Sequence, residues 1–550
     1  MGIFINMEIS KSVTKEEWER VYNETLILVN ALPFAERISK NIHGIDTVCL
    51  VRTQERTERY GCNEEKIRTG WFTDGDYIGM KMAEDHFLPR DLVGEDNVEQ
   101  KAGDAILGNL SAYLDYNWDD DICSHTYSIW GAKTQGERYH MYLLAVACLI
   151  EARLGKKAFV YGDITRGQCK KAVEIANAYL EKPIEMPDRC YMDRLLDRIS
   201  SMLLSQDEKL ELFNRLYLGT KDREYGDFIR KEFPEEVISA YWKKRFAIYE
   251  IDQLGFSRLF HEYMIQGFEL ERLCKYAKLQ DKDGQDTHSE FVKCVMDAKL
   301  HLKEKNCEDP LSIDQEAEGT YSIWTLFAQF GFAGARNKKI NRYIPIEEVR
   351  RSLLTGLGQY DDVDQIIDEY LEDEARQTEI SLAEAEKSEE LFQQAVKQDP
   401  SEVFNQIMDR KKNELEENWE KYDVCVPEGL KFFKKGDTIS PEMEKSLGPS
   451  RIFLDSILQE EHFKELQQRS PKDKCRWLVE NNKYILIRDV DWEKIFTDIE
   501  SNEDSFGRYY SIMRVKMDGL GLIDMSVALM INDDLYAYSK ILAEQVEIQS

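Results

Sequence analysis

Beyond Pro187 the period-two alternation that marks half-buried strands almost vanishes, and apolar residues recur every three or four positions for most of the remaining chain. That change of period separates a mixed first part from a helical remainder. At 550 residues the chain is too long for one core, since single cores stop growing at roughly 250–300 residues. The sequence therefore predicts a multidomain protein, with an N-terminal α/β or α+β domain over 1–188 followed by a predominantly α-helical region. The helical part divides into a domain over 189–358, an acidic long-helix hairpin or arm over 359–425, and a small, mainly helical C-terminal domain over 426–550.

Local signals fill in the first part. Ile3, Ile5, Met7 and Ile9 alternate with more polar positions, as on a strand with one buried face. Thr14 and Glu17 have capping-box spacing, and Trp18, Val21, Tyr22, Leu26 and Val29 then mark one helical face up to Pro33. A second strand is expected over Thr47–Val51, and Asp74-Gly75 between aromatic neighbours suggests a hairpin. Glu137–Leu154 reads as a mostly buried helix closed by Gly155, with a short strand at Ala158–Tyr161 and a Thr165/Gln168 capping box opening the next helix.

Charge limits the partners. The chain carries 104 Asp and Glu against 73 Lys and Arg, a formal net charge of -31, which repels phosphate backbones and anionic membrane surfaces. General coating of nucleic acid is thereby disfavoured, and a basic protein partner fits better. The acids concentrate between Asp361 and Pro400, where fourteen acidic residues face three basic ones while Val363, Ile366, Ile367, Tyr370 and Leu371 keep a helical stripe. Asp399-Pro400 restarts a helix, so two long helices meet there. Eleven cysteines without a C-x-x-C pair read as reduced thiols of a cytoplasmic protein, and no export or lipidation signal is expected at the N-terminus. The uncharged run Gly319–Ala335 falls short of the roughly 20 apolar residues that span a bilayer and reads as a buried helix, so no membrane segment is expected.

Several groups could carry chemistry, none with a complete signature. Asp115, Asp119, Asp121 and His125 form a carboxylate cluster beside a histidine, which can hold a divalent metal and accept a proton in phosphoester hydrolysis. Asp163, between a strand and a helix, occupies the place where α/β sites often put an acid. Asp281, Asp283 and Glu290 fall at positions 3, 5 and 12 of a calcium-type loop with Gly284 at position 6, but Leu279 stands where the first ligand belongs. Cys274, His288, Cys294, His301 and Cys307 are spaced too widely for one zinc ion. Arg336, Lys338, Lys339 and Arg342 follow Gly331 and Gly334 and offer a basic place for an anion, without phosphate-loop spacing.

These features order three functional expectations. The first is an intracellular interaction, scaffold or inhibitor protein whose acidic helices bind a basic partner. The second is a metal-dependent hydrolase of the phosphoester class, and the third a sensor of an anionic ligand. No cofactor is specified beyond a divalent metal for the hydrolase reading, and the pattern favours a non-enzymatic role.

Overall fold

The computed structural model describes residues 3–60, 66–77, 83–92, 103–109, 126–134, 138–282, 284–302, 342–376, 428–439, 441–482, 485–502, 504–514 and 520–549. The first part contains strands β1 (Ile5–Ser10), β2 (Phe34–Ile42), β3 (Ile45–Arg52), β4 (Glu55–Tyr60), β5 (Lys66–Thr73), β6 (Gly75–Asp76), β7 (His86–Pro89), β8 (Thr126–Trp130) and β9 (Ala158–Gly162). Three helices accompany them: α1 (Lys15–Ala31), α2 (Arg138–Leu154) and α3 (Arg166–Asn177). Every pairing within the three small sheets, ordered β8-β1-β9, β3-β2-β6 and β4-β5-β7, is antiparallel. This is an α+β arrangement followed by helices, as the change of period requires.

The central sheet shows how the pattern sets the packing. Met7 of β1 faces Trp130 on one side and Val160 on the other, and Ile5, Met7, Ile9, Ala158 and Val160 all enter a core shared with α1 and α2. Phe159, between two of those residues, points the other way and joins the core of the helical region. Strand β9 is therefore a wall common to both cores. Both capping boxes form, with Thr14 and Glu17 on α1 and Thr165 and Gln168 on α3 exchanging side-chain and backbone bonds. Helix α2 is buried almost all round, and Gly155 ends it at a φ of 57° that a residue without Cβ adopts at least cost.

Gly162 closes β9 at a φ of 116°, where an added Cβ would lie 2.5 Å from the Phe4 carbonyl oxygen. Gly162→Ala is expected to lose roughly 2 kcal/mol or more, read as a lower urea midpoint with an unchanged slope.

The Asp74-Gly75 step is not a hairpin turn. Strand β5 ends before it and pairs with β4 and β7, whereas β6 crosses to β2, where Ala35 faces Gly75. The tight hairpin lies elsewhere, at His43 (φ 48°) and Gly44 (φ 76°) between β2 and β3, the two-residue turn whose twist suits antiparallel strands. Its tip leaves the N-terminal core altogether. Ile42, Ile45 and Cys49 belong to the core of the C-terminal helices, with Leu478, Trp492 and Phe496. Lys40 pairs with Asp489 at 2.8 Å, and Leu50 donates its N–H to the Ile487 carbonyl. Residues 485–487 form no strand of their own, and beside that contact Leu50 makes a single parallel bridge to Arg488.

The helical part continues with α4 (Met192–Ser200), α5 (Gln206–Leu216), α6 (Arg223–Glu232), α7 (Glu235–Phe246), α8 (Leu254–Ile265), α9 (Leu270–Tyr276), α10 (His288–Asp297), α11 (Ile346–Gly356) and α12, described over 363–376. The Leu195–Tyr217 segment is two helices, because Ser205 caps α5 with Glu208. Likewise Gly267, at a φ of 80°, separates α8 from α9. Trp242 stands at the centre of an aromatic cluster, edge-on to Tyr263 and Phe268 at 5.0 and 5.4 Å. The chain then runs through α13 (Pro441–Ile457), α14 (Glu461–Gln467), α15 (Pro471–Asn481), α16 (Asp489–Ser501), α17 (Ser505–Arg514), α18 (Leu520–Ile531) and α19 (Asp533–Gln549). Among the described residues no helix is long and apolar enough to cross a membrane.

Candidate functional site

The described start of the acidic segment is the helix its spacing predicts. Val363, Ile366 and Ile367 are buried in the helical core with Tyr370 and Leu371 packed beside them, which turns the carboxylates of α12 sideways and outward. The sideways ones meet basic side chains of this same chain. His288, at the start of α10, places Nε2 2.9 Å from Asp362, and its ring stacks on Tyr360 at 3.9 Å. Arg350 of α11 spans Asp364 and Asp368. At the far end Lys299 and His301 both reach Glu374, at 2.7 and 3.1 Å, and Lys299 also donates to the Tyr370 hydroxyl, which in turn donates to Asp297.

The electrostatics follow from these contacts. Burial works against ionising Glu374, but the hydrogen bonds from Lys299 and His301 outweigh it and hold the carboxyl below its usual range. Burial, together with Asp297 alongside, raises Tyr370, so its hydroxyl keeps its proton. Asp364 and Asp368 are 55% and 60% exposed, so their pairing with Arg350 contributes at most about 1 kcal/mol and is weakened by salt. Asp361, Glu369, Glu372 and Asp373 remain on the outer surface, with Arg376 the one basic residue on the described part of this helix. Beside Arg350, helix α11 lines a hollow of about 380 Å³ with Glu347, Arg351, Leu354 and Thr355.

Of the other sequence candidates, those that the structure describes lie apart in separate local roles. Asp115, Asp119, Asp121, His125, Asp283, Arg336, Lys338 and Lys339 lie outside the described residues, as does the acidic segment beyond residue 376. Asp163 is tied to the start of the chain, its carboxylate accepting the Phe4 N–H at 2.9 Å while its own N–H donates to the Phe4 carbonyl. Asp281 accepts the Gln285 N–H at 2.8 Å in a turn completed by Gly284 at a φ of 80°, and Glu290 sits exposed in the first turn of α10. Arg342 points inward, donating to the carbonyls of Met264 and Phe268 beyond the core face of α8. Among the described residues no group of three or more His, Cys, Asp or Glu is placed to hold a metal ion.

One cluster escaped the sequence reading. Among the described residues no strand lies on the outer edge of β9, and buried charges satisfy it instead. Glu151 of α2 accepts the Val160 N–H at 2.7 Å, Arg189 donates to the Val160 carbonyl at 3.1 Å, and Arg198 of α4 donates to the Ala158 carbonyl at 2.7 Å. Arg198 also meets Asp104 at 2.6 Å and Glu151 at 3.3 Å, all three side chains being 3% exposed. The available signal was local: Glu151 interrupts the apolar run of α2, and Arg198 shares a helical face with Leu195 and Ile199. No protein-family model, curated protein or solved structure matches this chain.

Proposed function

We propose that this chain is a cytoplasmic interaction protein, a scaffold or inhibitor that binds a basic protein through its acidic helical surface. The observation that carries the reading is the division of labour on α12. Its apolar stripe fixes the helix, its lateral carboxylates and Asp362 just before it already hold Arg350, Lys299, His301 and His288, and its outer row carries Glu369, Glu372 and Asp373, preceded by Asp361, against Arg376 alone. The cytoplasmic placement rests on the thiols, since all seven cysteines among the described residues are free.

The test is binding of the full chain to a basic protein that co-purifies with it at low salt. Glu369→Gln, Glu372→Gln and Asp373→Asn together are expected to weaken that complex at least tenfold and flatten its salt dependence, while the melting temperature stays put. An unchanged affinity would refute the assignment of the surface.

A further inference from the structure

The cluster on the edge of β9 joins two cores: α2 belongs to the first, α4 to the second, and β9 contributes to both. We propose that Glu151 is a proton switch for this joint, which is held tightest when the carboxyl is protonated and loosens when it ionises.

The geometry supports this from the arginine side. Arg198 keeps counter-charges without Glu151: its Nε meets Asp104 at 2.6 Å, Nη2 donates to the carbonyls of Lys156 and Ala158, and Nη1, which reaches Glu151, also lies 3.5 Å from Asp188. The contact to Glu151, at 3.3 Å, is the longest of its ion pairs to a fully buried partner. Protonating Glu151 therefore leaves no stranded cation. The other oxygen of Glu151 accepts the Val160 N–H, a bond that the carbonyl oxygen of a neutral carboxyl also makes.

The remaining neighbours do little to keep Glu151 charged. From the turn Asp188–Cys190, Asp188 adds a like charge, while Arg189 adds an opposite charge whose Nε and Nη1 donate to the carbonyls of Leu216 and Val160. The thiols of Cys148 on α2 and Cys190 face it with their protons retained. Burial thus dominates and pushes Glu151 up to about 7, and it raises Asp104 as well. An acid raised in the folded state contributes stability that is complete below its ordinary range near 4.5 and is lost as pH rises through about 7.

Hydrogen exchange of the full chain between about pH 6 and pH 8, corrected for intrinsic rates, tests the proposal. The opening equilibrium of β9 and α4 is expected to rise by up to about tenfold per pH unit as neutrality is approached from below, where only the opened state has lost the Glu151 proton, and to level off above about pH 7. In Glu151→Gln, which keeps an acceptor for Val160 and cannot ionise, that dependence should disappear. A flat profile in the wild type overturns the switch, and so does a glutamine variant that follows pH as the wild type does. Should the variant fail to fold, infrared spectra of the wild type decide. Loss of a protonated-carboxyl band over the same pH range supports the switch, and absence of that band at about pH 6 refutes it.

Discussion

Arg198→Ala is expected to destabilise the chain by about 3–5 kcal/mol, the range found when one partner of a buried ion pair is removed. The substitution removes the cation beside Asp104 in surroundings where its carboxyl is 3% exposed, and it strips the donor from the Ala158 carbonyl on an edge that no described strand covers. It also removes the contact that fixes α4 to the first core. Urea unfolding followed by tryptophan fluorescence should show a markedly lower midpoint, and hydrogen exchange should place the lost protection on β9, α4 and the turn before Ala105. Arg198→Lys restores charge but not the three-way fork of donors, so it should recover only part of the loss.

A second large effect is expected in acid. His86 and His140 are both buried, with Tyr139 Oη 2.7 Å from His86 Nδ1 and Thr134 Oγ1 2.6 Å from His140 Nδ1. Burial lowers His86 to about 4 and His140 to about 3. For a base depressed in this way the unfolded chain takes the proton first, so the stability is whole above the ordinary imidazole value and falls as pH drops below it. Between about pH 6.5 and pH 5 each imidazole should cost about 2 kcal/mol, from 1.36 kcal/mol per pH unit. Asp85, pushed up to about 6 by Asp74, works in the opposite direction, but its side chain is 73% exposed and its weight is small. His140→Asn, which can still accept from or donate to Thr134, should give a visibly shallower acid limb in a series of urea midpoints. An acid limb as steep as the wild type's would show that other groups set it.

What could be read from the sequence was local. The Thr14/Glu17 and Thr165/Gln168 boxes are decided within one helical turn, and the stripe from Val363 to Leu371 within three, so spacing alone placed them. The break between α4 and α5 at Ser205 is equally local, although apolar spacing continues across it. The pairings were not legible. Arg198 meets Asp104 across 94 positions, and the tip of the β2–β3 hairpin finds Trp492 and Phe496 across some 450, distances at which a single sequence holds no pairing signal. Asp163 illustrates the difference between place and role. It stands between strand and helix as read, yet its carboxylate is consumed by the Phe4 backbone.

The hairpin that leaves its own core decides how the molecule can be divided. Ile42, Ile45 and Cys49 fill space among the C-terminal helices, and His43 at the tip lies 3.1 Å from Glu500 and 3.5 Å from Glu493. A fragment cut out at Glu428 would carry its helices but would bare the apolar surface those three residues cover. Such a piece would tend to self-associate, unless residues 34–52 were supplied in trans as a peptide that re-forms the missing wall.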